Sequence, residues 1–114
     1  MLPKIKRVEF MNVHIDDEIH KDSDLILTPN SVEKVNASHK ITKEEFEKML
    51  LHDPKIAVFG IGFRGGVKIE KSIFEMAKKS NVELHSMPTP EAAKKFQELA
   101  RKGQNVVAKL HITC

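Results

Sequence analysis

A chain of 114 residues is short for more than one domain, yet long enough to close a hydrophobic core. Its 40% hydrophobic and 31% charged residues describe an ordinary globular protein and exclude a disordered or fibrous chain. A net charge of +3, one cysteine (Cys114) and no apolar run near the roughly 18 residues of a membrane span exclude an internal disulfide and a transmembrane helix.

The N-terminal stretch is basic (Lys4, Lys6, Arg7) but has no apolar h-region, so no secretory signal is expected. A lone thiol fits a reducing cytoplasm. The first strand candidate is Val8–Ile15, where Val8 and Phe10 share a face. Asp16-Asp17 signals a turn. Glu18–Thr28 reads as a second strand, irregular over Lys21–Asp24. After Pro29-Asn30-Ser31 comes a short third strand, Val32–Val35. The N-terminal half therefore reads as an antiparallel meander.

The rhythm then changes. Thr42-x-x-Glu45 is a capping box, and Phe46, Met49 and Leu50 give the stripe of a helix that ends near His52. Ile56–Phe59 is apolar on both faces, as a doubly covered central strand is. Ile69, Ile73, Met76 and Ala77 mark a second helix, over Glu70–Lys79, and Val82–His85 a further strand. Thr89-Pro90-Glu91 opens the last helix with Thr89 as N-cap, and Arg101-Lys102-Gly103 closes it. Val106, Ala108, Leu110, Ile112 and Cys114 alternate along a final strand. The order β-β-β-α-β-α-β-α-β argues for a mixed α/β sheet with helices packed on it, as one domain over residues 1–114.

Gly60-Ile61-Gly62-Phe63-Arg64-Gly65, followed by Gly66, is the foremost candidate site. Glycines let backbone N–H groups approach a phosphate, and Arg64 offers a bidentate contact to an anion. The dinucleotide form of the motif fits poorly, because Gly66–Ile69 intervene before a helical stripe and Glu83 lies at the start of its strand rather than at its end. The remaining readings are a small anion site at Gly60, Gly62, Phe63, Arg64, Gly65 and Gly66, or plain loop geometry.

Lys109, His111 and Thr113 share the polar face of the last strand. That face either lines a cleft or faces solvent at a sheet edge, and the edge is the better expectation. His39, His85, His111 and Cys114 are further candidates, and His85 would meet His111 if the last two strands were neighbours. His111 and Cys114 point to opposite faces of one strand, which opposes a shared metal. His14 and His20 read as surface residues, and Asp16, Asp17, Glu18, Asp22 and Asp24 as a solvated acidic turn. No P-loop, nucleophile elbow or H-E-x-x-H occurs, so neither a cofactor nor a metal is expected. Residues 54–114 carry 11 Lys/Arg against 5 Asp/Glu. The lysines fall on predicted helix surfaces without interleaved aromatics, so nucleic acid is not an expected partner.

The run Phe59-Gly60-Ile61-Gly62, the segment Met87-Pro88-Thr89-Pro90-Glu91-Ala92, Phe96-Gln97-Glu98-Leu99, Lys102-Gly103 and the end His111-Ile112-Thr113-Cys114 resemble a small α/β domain family. That family is shared by the adipogenesis-associated domain-containing protein, a mitochondrial complex I assembly factor and many prokaryotic proteins. The resemblance implies a three-layer α/β domain with a mixed central sheet, helices on it and a small extra antiparallel β-sheet. It carries over no catalytic residue. It implies an accessory, assembly-factor-like role through contacts with a protein partner. The competing expectation is a small-ligand or anion-binding domain, enzymatic in one form, that uses the Gly60–Gly65 loop. A homo-oligomer stays open.

Overall fold

The computed structural model describes residues 2–112. Three short strands come first: β1 (Ile5–Glu9), β2 (Asn12–Ile15) and β3 (Glu18–His20), paired antiparallel in the order β1-β2-β3. The expected first strand is thus two strands folded into a hairpin, because Met11 turns the chain at φ 67°. The expected second strand is also two. Asp22, at φ 62°, separates β3 from β4 (Asp24–Thr28), and they belong to different sheets.

The central sheet has the order β5-β4-β10-β7-β9, with β5 at Ser31–Val35, β7 at Ile56–Gly60, β9 at Glu83–Met87 and β10 at Val106–Leu110. β7 runs parallel to both β9 and β10, while β4 runs antiparallel to β10 and to β5, so the sheet is mixed as expected. Two strands too short to show periodicity, β6 (Lys40–Ile41) and β8 (Lys68–Ile69), pair parallel beside it.

Helices α1 (Lys43–Leu50) and α2 (Ser72–Lys79) cover one face of this sheet. Phe46, Met49, Ile73 and Ala77 pack there on Ile26, Ala57, Phe59 and Val107. Helix α3 (Thr89–Arg101) and the small sheet cover the other, where Ala92, Phe96, Val13 and Ile15 meet Leu25, Leu27, Val58, Ala108 and Leu110. The three-layer arrangement with its small antiparallel sheet follows from strands whose alternate residues feed two separate cores. No helix among the described residues is long and apolar enough to cross a membrane.

One arm of the capping box forms, with Thr42 Oγ1 accepting from the Glu45 N–H at 3.3 Å, while the Glu45 carboxylate turns to the Thr42 hydroxyl and to Lys109. At α3 the expected cap is displaced by one residue. The N-cap is Pro88 and Thr89 is already helical, its hydroxyl drawn to the sheet as described below. His85 and His111 do not approach through neighbouring strands, since β7 lies between β9 and β10.

Candidate functional site

The glycine segment leaves the carboxyl end of β7, beside the carboxyl ends of β9 and β10. In α/β sheets, ligands bind in the crevice outside these ends, where connections diverge to opposite faces. Here α2 follows β7 onto one face and α3 follows β9 onto the other, so the crevice between β7 and β9 is such a point. The chain closes it from within. Thr89 Oγ1 accepts from the Gly62 N–H at 3.0 Å and donates to the His111 carbonyl at 2.6 Å, and the Thr89 N–H donates to the Gly62 carbonyl at 3.1 Å.

Gly60 is required by the same closure. A Cβ on it would lie 2.9 Å from Leu110 Cδ2 and 3.2 Å from the Thr89 Cα. Gly62 and Gly65 have φ of 97° and 70°, the left-handed region that favours glycine. The Ile61 N–H is spent on the Met87 carbonyl, and the Val67 N–H on the Ile61 carbonyl. After the loop comes β8, and α2 begins only at Ser72. The segment therefore lacks the strand–turn–helix geometry that puts a phosphate on a helix N-terminus.

What the loop presents is its tip. Gly65 and Gly66 are exposed, and Arg64 is exposed with no ion-pair partner among the described residues. Phe63 meets Phe10 edge to face, ring centroids 5.7 Å apart. Phe10 and Met11 form the tip of the β1–β2 hairpin and are 57% and 38% exposed. The Met11 N–H donates to the Ile112 carbonyl at 2.7 Å, which fixes the hairpin against the end of β10. Phe10 and Met11 escape sequence reasoning, because Phe-Met carries no turn signal and Phe10 reads as a core-facing strand residue.

The polar face of β10 is not at a sheet edge, and its solvent-facing assignment is corrected. β10 lies between β4 and β7, and Lys109 and His111 are each 2% exposed. In register, Lys109 sits between Ile26 of β4 and Phe59 of β7, on the face that α1 covers. Its charge is met by Glu45 of α1, to which Nζ donates, and by Asp24 Oδ2 at 3.5 Å. Asp24 Oδ1 lies 2.9 Å from His111 Nδ1, and Asp24 Oδ2 accepts the Ser38 N–H at 3.3 Å. The His39 ring lies edge-on to His111, 5.0 Å between centroids. Thr113 and Cys114 fall outside the described residues.

Asp24 is therefore no part of a solvated turn but a fully buried carboxyl group. Burial pushes its carboxyl above the ordinary range, against the pull of Lys109, His111 and the Ser38 N–H. Above this network opens a cleft of about 400 Å³, lined by Ile26, Lys34, Val35, Asn36, Ser38, Glu45 and Lys48. Glu45 belongs to both: its Oε2 meets Lys109 and its Oε1 accepts the Thr42 hydroxyl at 3.3 Å. His20, expected at the surface, is also buried, with Nδ1 lacking a hydrogen-bond partner among the described residues. Among the described residues, no group of three or more His, Cys, Asp or Glu side chains is placed to hold a metal.

Residues 5–111 match the family described as "Protein of unknown function (DUF498/DUF598)", and the chain belongs to that family. No curated protein is a significant match. Among solved structures, the chain is similar to a conserved hypothetical protein from Pyrococcus horikoshii OT3, at 29% identity and a TM-score of 0.84, covering 97% of this chain and 99% of that one. It shares its fold with a protein described as an outer membrane protein from Bartonella henselae, at 16% identity and TM-score 0.83 over 97% and 95% of the two chains. It shares it also with a Bordetella pertussis protein described as a Mth938-like domain, at 14% identity and TM-score 0.73 over 98% and 87%.

Proposed function

From membership in a family of unknown function, we propose that the protein is a cytoplasmic, non-enzymatic accessory domain that acts through contact with another protein. The assembly-factor-like role implied by the sequence resemblance is the specific form of this reading. One observation carries it. The hairpin tip and the glycine loop together hold out a contiguous knuckle of Phe10, Met11 and Phe63 beside Arg64, and Phe10 is 57% exposed. Scattered exposed apolar side chains need no explanation, and Leu51 and Phe74 are of that kind. An aromatic pair with a methionine and an arginine has the composition of a protein-binding centre. The left-handed backbone of Met11 adds support, since a non-glycine residue is held there only at some cost.

The alternative, an anion on the Gly60–Gly66 loop, has weaker support, because the N–H groups of Ile61 and Gly62 are already used within the protein. The test is co-purification from the native host with the wild type, the Phe10→Ser/Phe63→Ser double variant and a Phe74→Ser control. The double variant should melt within a few degrees of the wild type and lose partners that the control keeps. Identical partner sets in all three would sink the proposal.

A further inference from the structure

β9 is an edge of the central sheet, bonded to β7 alone. Two bonds fix its phase. The Glu83 N–H donates to the Lys55 carbonyl at 3.0 Å, and the Met87 carbonyl accepts from the Ile61 N–H at 3.0 Å. In a parallel pair, alternate residues turn both backbone groups to the same neighbour. Glu83, His85 and Met87 therefore bond β7. The N–H and C=O groups of Leu84 and Ser86 point out of the sheet, without a hydrogen-bond partner among the described residues. Edge strands are commonly guarded by proline, lysine or a bulge. β9 has none of these, its register on β7 is unbroken, and its one acid, Glu83, is tied to His85 at 2.7 Å. β5, at the other edge, has exposed Glu33 and Lys34 in mid-strand. Helix α2 leaves a groove of about 340 Å³ along β9, with Phe74, Ala77, Val82 and Leu84 as its apolar side. A single exposed phenylalanine is ordinary by itself, but Phe74 stands beside open backbone groups. The charged residues of the groove, Glu75 and Lys78, are of opposite sign, so a second copy meets no net repulsion there.

We propose that β9 pairs antiparallel with β9 of a second copy about a two-fold axis at His85, continuing the central sheet through both protomers. In that register Leu84 of each copy lies opposite Ser86 of the other, and their outward N–H and C=O groups exchange hydrogen bonds. An axis at Leu84 would set Ser86 against Val82, whose N–H is held by the Ala77 carbonyl at 2.8 Å. An axis at Ser86 would set Leu84 against Pro88, which has no N–H. The edge is thus complementary to itself about His85, which singles out a second copy over an unrelated strand. The same pairing brings the two apolar grooves side by side.

The experiment is sedimentation velocity of the full chain over a concentration series under reducing conditions. The wild type should dimerise. Ser86→Pro removes an outward N–H that the fold itself does not use, and should be folded and monomeric. Residue 85 faces itself across the axis, so His85→Lys and His85→Glu should each dissociate several-fold more readily than the wild type, and their equimolar mixture should recover as a mixed dimer. A wild type that stays monomeric at hundreds of micromolar, a folded Ser86→Pro that stays dimeric, or a mixture that associates no better than its components would each overturn the proposal. The Phe10→Ser/Phe63→Ser double variant should dimerise as the wild type does, which keeps this result separate from the protein-contact reading. Loss of the dimer in that variant would move the interface to the knuckle and overturn the proposal as well.

Discussion

Gly60 and Gly66 belong to one glycine-rich segment and do different things. A methyl group at Gly60 would press on Leu110, Ala92 and the Thr89 backbone, whereas at Gly66 it meets nothing within 4 Å. Gly60→Ala should cost about 1–3 kcal/mol, while Gly66→Ala should stay within about 0.5 kcal/mol, both read by denaturant unfolding. Equal costs would contradict the packing role given to Gly60. His20 makes a second prediction at this scale. Burial, reinforced by Lys34 and opposed by Glu18, lowers its pKa below the ordinary 6.5. A lowered folded-state pKa means that stability is fully present above 6.5 and is lost as pH falls from there through the folded value. His20→Leu removes this loss and an unsatisfied Nδ1, so its stability should match or exceed the wild type and fall less across that window. Parallel wild-type and variant curves below pH 6.5 would contradict it.

At the scale of elements, β10 decides the site. Its five residues are all buried, and Lys109 occupies what would otherwise be an apolar position facing α1. Lys109→Met keeps the volume but takes the cation from both Glu45 and the fully buried Asp24, which keeps only His111 and the Ser38 N–H, so the expected loss is about 3–5 kcal/mol in thermal or urea unfolding. A loss under about 1 kcal/mol would mean that the pair is not formed in solution. β10 also marks where sequence reasoning stops. Alternation along Val106–Ile112 correctly separates an apolar face from a polar one. It does not reveal that the polar face is buried, because the groups that meet Lys109 and His111 come from Asp24 and Glu45, far away in the chain. Glu45 was legible as the acid of a capping box, and its diversion to Lys109 was not. The helix stripes, the doubly apolar β7 and the strand–helix alternation were legible because each is local. The Phe10–Met11 turn was not, since neither residue favours one, and neither were β6 and β8, which are two residues long.

For the molecule as a whole, the carboxyl ends of the parallel strands form no open crevice. Thr89, Gly60 and Gly62 close the point where α/β sheets commonly bind ligands. The glycine loop is thereby turned outward, to display Phe63 and Arg64 next to Phe10. The fold is shared with structures of low sequence identity, so common architecture by itself assigns no chemistry.

The most direct test of the protein-contact account is photo-cross-linking in the native host, with a photoreactive phenylalanine analogue at position 10, 63 or 74. Discrete, shared adducts from positions 10 and 63, absent from position 74, are the predicted result. Adducts from none of the three, or the same adducts from all of them, would contradict the account.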